Sequence, residues 1–228
     1  MNIRENFDRD LQALQDDILE VGSLVQENLV KVTAALTQRD FEQSRKLVKE
    51  DKWVNKRRIA IGMEAFSLIA RQQPMAGDMR LIAAVLEIIG ELERIHDYVK
   101  GIGHINIMIG EEAIPANLLE LLPEMAELAA EMLEGALDAF TKRNSELALN
   151  VAKRDDSVDK LYNKTYKRVM RYMNDNPSEA SFEMAHRVEW AAHNLERAAD
   201  RVTNICEWIV YLVTGHYKEV QHETYGKG

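Results

Sequence analysis

One segment occurs twice in this chain, and the repetition limits the folds that the chain can adopt. Residues 92–102 and 195–205 are identical at six of eleven positions, at an offset of 103 residues. A second match, of residues 51–55 with 155–159, has an offset of 104, so one insertion brings both matches into register. The sequence therefore predicts two tandem copies of one structural unit.

Composition indicates that this unit is helical. The 228 residues include only 11 glycines and 4 prolines, and the segments between them are rich in Leu, Ala, Glu, Lys and Arg. These residues favour helices. A chain of this length can form two domains of about 100 residues, each with its own core. We predict an all-α protein.

Each unit is predicted to contain three long helices. Between Phe7 and Leu36, apolar residues recur at alternating spacings of four and three, with Asn28 as the one polar interruption. Short connections make successive helices antiparallel. The later helices are predicted at residues 41–72, 76–109, 117–142, 145–173 and 178–214. The predicted domains are residues 1–112 and 113–215, followed by a polar tail at 216–228.

Charge and hydropathy exclude several classes of protein. The formal net charge is −9, and the longest basic run, residues 56–58, is short, which argues against binding to nucleic acid or to anionic lipid. No apolar stretch reaches the roughly 18–20 residues that span a bilayer, and no apolar core of a signal peptide follows the N-terminus. The single cysteine, Cys206, suits a reducing compartment. We expect a cytoplasmic protein that meets a membrane only through partners.

Paired carboxylates are the main candidate site. Glu93 and Asp97 lie four residues apart, as do Glu196 and Asp200, and like charges at this spacing cost a helix about 0.2–0.5 kcal/mol. The middle helices carry partners at corresponding positions, so packing would gather four oxygen-bearing side chains in each unit. The predicted sets are Asp51, Asn55, Glu93 and Asp97 in the first unit, and Asp155, Asp159, Glu196 and Asp200 in the second.

Oxygen donors of this kind suit Mg²⁺, Mn²⁺ or Ca²⁺, and several carboxylates together could also bridge iron or zinc. Two alternatives stay open: the acids are solvated surface charge, or the chain is an interaction scaffold without metal. A third alternative is a ferritin-like enzyme or metal-storage bundle, because Glu93 and His96 match its Glu-x-x-His element. The repeat has Ala199 in place of that histidine. Without a nucleophile–base pair or a phosphate loop in the sequence, we expect no enzyme.

The sequence also resembles the PhoU family of phosphate-signalling regulators over about residues 5–220. The first-half resemblance lies in residues 73–80, QPMAGDMR, followed by Leu92-Glu93-Arg94 and Asp97. The C-terminal resemblance lies in residues 194–200, NLERAAD, then in residues 203–205 and 210–212, and in Gly215. Several blocks in the family's order make the resemblance specific.

The resemblance implies two tandem three-helix bundles related by a pseudo-twofold axis. It implies metal clusters bound by Glu/Asp-x-x-x-Asp pairs, here Glu93/Asp97, Asp155/Asp159 and Glu196/Asp200. It further implies a negative regulator of phosphate uptake and phosphate-starvation signalling. Such a regulator contacts a sensor histidine kinase and a phosphate ABC transporter, often as a homodimer.

The first unit departs from the family pattern more than the second. His96 replaces a common Gly, Gly101 stands where the family often has Asn, and Asn55 breaks the acidic pair that Asp51 begins. In the second unit Arg201 replaces a frequent His. Because the second unit keeps a full carboxylate set, we expect it to bind metal more tightly than the first.

Overall fold

The computed structural model describes residues 3–217 and residue 219, with side chains from residue 5 onward. Within these residues every regular element is a helix. The helices are α1 (Ile3–Gln38), α2 (Phe41–Gln72), α3 (Ala76–Ile109), α4 (Ala116–Leu119), α5 (Leu122–Lys142), α6 (Ser145–Ala152), α7 (Asp155–Asp175) and α8 (Glu179–Thr214).

The first unit consists of α1, α2 and α3, which pack against one another. Asp40 caps α2 by accepting a 2.9 Å hydrogen bond from the backbone N–H of Gln43, as the sequence predicts. The buried amide of Asn106, near the end of α3, donates to the Ala35 carbonyl at 3.0 Å and to Ser44 Oγ at 2.9 Å. These bonds tie all three helices together at one end of the bundle.

The second unit repeats this plan with two corrections to the predicted helices. The first predicted helix begins as the single turn α4, and α5 starts anew because Pro123, in its first turn, has no N–H to continue a preceding helix. The prediction of one helix over residues 145–173 is wrong. A tightened turn separates α6 from α7, where the Arg154 N–H bonds the Val151 carbonyl at 2.9 Å and the Ser157 N–H bonds that of Arg154 at 2.9 Å. This break makes Asp155 the first residue of α7.

The two units pack through α1 with α5 and through α3 with α8. The buried Glu91 of α3 accepts hydrogen bonds from Asn204 at 3.3 Å and from Arg201 at 3.5 Å. Across the same interface, Asn194 lies so close to Gly101 that a Cβ there would be 2.8 Å from its amide nitrogen. The two contacts are equivalent under the repeat, because Asn194 is the counterpart of Glu91 and Gly101 is the counterpart of Asn204, each at an offset of 103. This equivalence places α3 and α8 antiparallel about a pseudo-twofold axis.

The predicted architecture, all-α with two homologous three-helix units, is therefore confirmed. The boundaries at residues 112 and 215 stay predictions. Most of the predicted tail at 216–228 lies outside the described residues, although Tyr217 donates a 2.8 Å hydrogen bond to Glu207. Among the described helices, none is long and apolar enough to cross a membrane.

Candidate functional site

The first cluster, formed by Asp51, Asn55, Glu93 and Asp97, lies where α2 packs against α3. A lysine occupies it. Lys100 Nζ donates to Asp51 Oδ2 at 2.9 Å and to Asp97 Oδ1 at 2.8 Å. Asp51 is 7% exposed, so this ammonium group neutralises a nearly buried carboxylate and joins the two helices.

Asp51 has further donors around it. Asn55 donates to Asp51 Oδ2 at 3.2 Å, and His96 Nδ1 lies 3.5 Å from Asp51 Oδ1. The ring of His96 is fully buried, and its Nε2 lies 3.2 Å from the amide nitrogen of Asn28, the polar interruption in α1. Burial lowers the pKa of His96. A neutral ring that accepts from Asn28 carries its proton on Nδ1, facing Asp51.

Glu93 completes the first cluster at its rim. Its pKa is raised by burial and then by the charge of Asp97. Arg58 Nε lies 3.9 Å from Glu93 Oε1 and supplies a second positive charge. The first cluster therefore holds two cationic side chains beside its three carboxylates.

The second cluster, formed by Asp155, Asp159, Glu196 and Asp200, lies where α7 packs against α8. Asp155 is 1% exposed, and its pKa is raised to about 8 by burial and then by Asp159, Asp200 and Glu196. The pKa of Glu196 is raised to about 7 by burial and then by Asp200 and Asp159. Burial and the neighbouring carboxylates thus oppose the ionisation of Asp155 and Glu196.

The two clusters differ in charge because four equivalent positions of the repeat carry different residues. Each basic or amide side chain that surrounds the first cluster has a counterpart of different chemistry in the second. The replacements are Thr203 for Lys100, Ala199 for His96, Asp159 for Asn55 and Tyr162 for Arg58. None of these four counterparts brings a positive charge to the second cluster.

The second cluster has basic neighbours of its own, among them Arg197, His193 and Arg201, and the charges of Arg197 and Arg201 offset part of the rise in the pKa of Glu196. Arg197 donates a hydrogen bond to Asp200. His193 Nδ1 lies 3.3 Å from Glu196 Oε2, but this oxygen is buried and makes no hydrogen bond within the part of the chain that the structure describes. A buried acceptor left in this state costs roughly 1–3 kcal/mol.

The donor chemistry of the second cluster fits a hard cation. Its ligand atoms are carboxylate oxygens, and Glu196 presents a buried oxygen that lacks a donor. Among the described residues, however, no group of three or more His, Cys, Asp or Glu side chains is already arranged to hold a metal ion. A bound cation would therefore have to draw these carboxylates together. The first cluster does not fit, since Lys100 occupies the space between Asp51 and Asp97.

The structure thus brings together the side chains predicted for each site, and it adds two that the sequence reasoning missed. Lys100 follows Asp97 by three residues, a spacing that places both on one helix face. His193 precedes Glu196 by the same spacing. Extending the repeat alignment from the acids to their i±3 neighbours would have found both.

Comparison with known proteins follows the same division into two units. The PhoU domain matches the chain twice, at residues 18–105 and 122–209. The chain belongs to the PhoU family. A phosphate-specific transport system accessory protein PhoU homolog of Rhizobium meliloti (strain 1021) is 32% identical over 214 residues, or 94% of this chain and 90% of the relative. One of Zymomonas mobilis is 33% identical over 221 residues, or 97% and 91%.

Solved PhoU structures have the same fold. The phosphate transport system regulatory protein PhoU from Streptococcus pneumoniae superposes with a TM-score of 0.85 at 28% identity, covering 94% of this chain and all of that one. PhoU from Pseudomonas aeruginosa gives a TM-score of 0.87 at 29% identity, covering 92% of this chain and all of that one. These PhoU proteins are named as accessory or regulatory proteins, not as enzymes. The expectation of a regulatory protein agrees with these names.

Proposed function

We propose that this protein is a cytoplasmic, metal-binding negative regulator of phosphate uptake and phosphate-starvation signalling. It acts as an adaptor between a phosphate ABC transporter and a sensor histidine kinase. The names of the relatives, which describe accessory proteins of phosphate-specific transport, support the transporter as one partner. The kinase and a homodimer are further parts of the proposal, expected from the family resemblance.

An exposed apolar stripe on α2 supports a docking role. Ile59, Met63 and Phe66 are 57%, 65% and 58% exposed, and their spacings of four and three align them along one side of the helix. The stripe starts one turn after Asn55, so it continues the face that carries the first cluster. Exposed apolar residues grouped in this way are typical of protein interaction sites.

The observation that carries the metal-binding part is geometric: four carboxylates lie where α7 packs against α8, and one buried oxygen of Glu196 has no hydrogen-bond donor among the described residues. Asp155 and Glu196 both have raised pKa values because burial and neighbouring acids oppose their ionisation. A divalent cation held by Asp155, Asp159, Glu196 and Asp200 would offset two of the four negative charges that these carboxylates carry when ionised, and it would make this acidic surface less negative. The oxygen donors favour Mg²⁺, Mn²⁺ or Ca²⁺, whereas His193 beside Glu196 would also admit Fe or Zn.

The ferritin-like alternative gains no support from the geometry. Its histidine would have to be His96, which is fully buried and engaged with Asp51 and Asn28. The regulator therefore remains the function that the site supports best.

A binding experiment with the purified full-length protein tests the adaptor role. The partners are the ATPase subunit of the phosphate transporter and the cytosolic part of the sensor kinase from the same organism. Replacing Met63 and Phe66 by Asp should weaken binding to at least one partner by tenfold or more, because charge is placed in an apolar contact. A matched control replaces the exposed Val30 and Met108 by Asp. Unchanged affinities in the Met63/Phe66 variant would contradict docking through this stripe.

A further inference from the structure

Lys100 occupies the position in the first cluster that a bound cation would take. Its ammonium group reaches Asp51 on α2 and Asp97 on α3 at 2.9 and 2.8 Å. A divalent ion between two carboxylates likewise bridges oxygen atoms from both helices. The lysine therefore satisfies the same pair of acids without any ligand.

The two contacts of Lys100 differ in strength. The pair with Asp97 is an i,i+3 contact on an exposed surface, and such pairs contribute little. The pair with Asp51 crosses between helices, and the Asp51 side chain is only 10% exposed. Because a nearly buried carboxylate is costly without a countercharge, Asp51 holds the ammonium group in place.

The equivalent position in the second unit is Thr203. It is 1% exposed, and its hydroxyl makes no hydrogen bond to any residue that the structure describes. A threonine side chain carries no charge, so it cannot neutralise Asp155 or Asp200. It is also too short to reach both carboxylates. The second cluster thus lacks a cation at this repeat position, although Arg197 donates a hydrogen bond to Asp200 from elsewhere on α8.

We propose that the residue at this repeat position decides which cluster binds metal. Lys100 is the internal cation of the first cluster and excludes metal from it, whereas Thr203 leaves the second cluster open to metal. This inference rests on the proposed metal binding of the second cluster, and it adds a residue that sets the number and place of the metal sites.

Exchanging the two residues tests the inference. The full-length protein is stripped with a chelator, and Mn²⁺ binding is measured by calorimetry and by elemental analysis in wild type, Lys100→Thr and Thr203→Lys. Lys100→Thr should bind additional Mn²⁺, and Glu93→Ala/Asp97→Ala in that background should remove the additional binding. Thr203→Lys should lose the Mn²⁺ that wild type binds.

Two controls separate charge from other effects of substitution. Lys100→Arg keeps the positive charge and should bind no additional Mn²⁺, and Thr203→Val removes the hydroxyl without adding charge and should keep the wild-type Mn²⁺. The inference is overturned if Lys100→Thr binds only as much Mn²⁺ as wild type. It is also overturned if the wild-type metal is lost from Glu93→Ala/Asp97→Ala but not from Thr203→Lys.

A second readout keeps the inference testable if wild type binds no Mn²⁺, a result that would contradict the proposed metal binding itself. Thermal unfolding of the metal-free proteins then reports on the internal cation. Relative to wild type, Thr203→Lys should raise the melting temperature and Lys100→Thr should lower it. Lys100→Arg should melt at the wild-type temperature. Equal melting temperatures in these variants would show that Lys100 is not a countercharge.

Discussion

The two carboxylate clusters lie at equivalent positions of a repeated fold, yet their charged surroundings differ. Positive side chains contact the acids of the first cluster, whereas the acids of the second lie mainly beside one another. In the first, Lys100, Asn55 and His96 surround Asp51. The ammonium group of Lys100 neutralises the Asp51 carboxylate and joins α3 to α2. In the second, burial raises the pKa of Asp155 to about 8, together with the charges of the three other acids of the cluster and of Asp156. The acids alone therefore do not distinguish the two clusters; the side chains that contact them in the fold do.

The largest expected effect is on the pH dependence of stability. The folded pKa values of Asp155 and Glu196, about 8 and about 7, exceed the ordinary values of unfolded carboxyl groups. The metal-free native state therefore binds more protons than the unfolded state between about pH 4 and 8, and its unfolding free energy falls as pH rises through this window.

At about 1.4 kcal/mol per pKa unit, the fall should be on the order of a few kcal/mol. Urea unfolding at pH 5 and pH 8 measures it, and Asp155→Asn should remove most of the difference because the amide does not ionise. Asp51→Asn, at the equivalent position in the first cluster, is the matched control and should leave the slope in place. A wild-type protein that is more stable at pH 8 than at pH 5 would contradict the description of the second cluster.

The next effect is the stabilisation by metal. A ligand at 100 times its dissociation constant adds about 2.7 kcal/mol, which for a chain of this size raises the melting temperature by roughly 5–11 °C. Asp159→Asn makes the second cluster resemble the first and should reduce this shift by half or more. Asn55→Asp, the reverse change in the first cluster, should add nothing while Lys100 is present. Scanning calorimetry with Mn²⁺ at pH 7.5 distinguishes these cases, and an equal shift in wild type and Asp159→Asn would count against the second cluster.

The smallest expected effects are the individual contributions of Lys100 and Thr203 to the unfolding free energy of the metal-free protein. Lys100→Met should lower the unfolding free energy of the metal-free protein by about 1–2 kcal/mol, because Asp51 loses its countercharge; partial exposure of the lysine keeps the value below that of a fully buried pair. Thr203→Val removes a buried hydroxyl without a hydrogen-bond partner among the described residues, so it should not lower the unfolding free energy and should raise it by about 1 kcal/mol. Chemical denaturation measures both, and equal losses would show that the two positions do not differ as described.

Much of the fold could be predicted because it depends on periodicity and on backbone chemistry. The repeat at offsets of 103 and 104, the cap at Asp40 and the helix end before Pro74 all have direct local causes. The break between α6 and α7 was not predicted, because the residues at 153 and 154 are two ordinary helix formers, Lys153 and Arg154. Nothing in the local sequence explains their tightened turn.

The membership of the clusters could also be predicted, since i,i+4 spacing and the repeat place the acids on facing helices. The charged surroundings of each cluster could not be predicted. They depend on burial, which makes Asp155 almost inaccessible, and on the reach of Lys100 across to α2. The polar interruption at Asn28 is likewise explained only by the fold, in which its amide donates to Glu50 at 2.9 Å and lies 3.2 Å from His96 Nε2.

The most direct test of the account is elemental analysis of the purified full-length protein by mass spectrometry. Three proteins are compared: wild type, Glu196→Ala/Asp200→Ala and Glu93→Ala/Asp97→Ala. The account predicts stoichiometric metal in wild type, its loss from the Glu196/Asp200 variant and its retention in the Glu93/Asp97 variant. Equal metal loss from the two variants, or metal-free protein in all three, would contradict it.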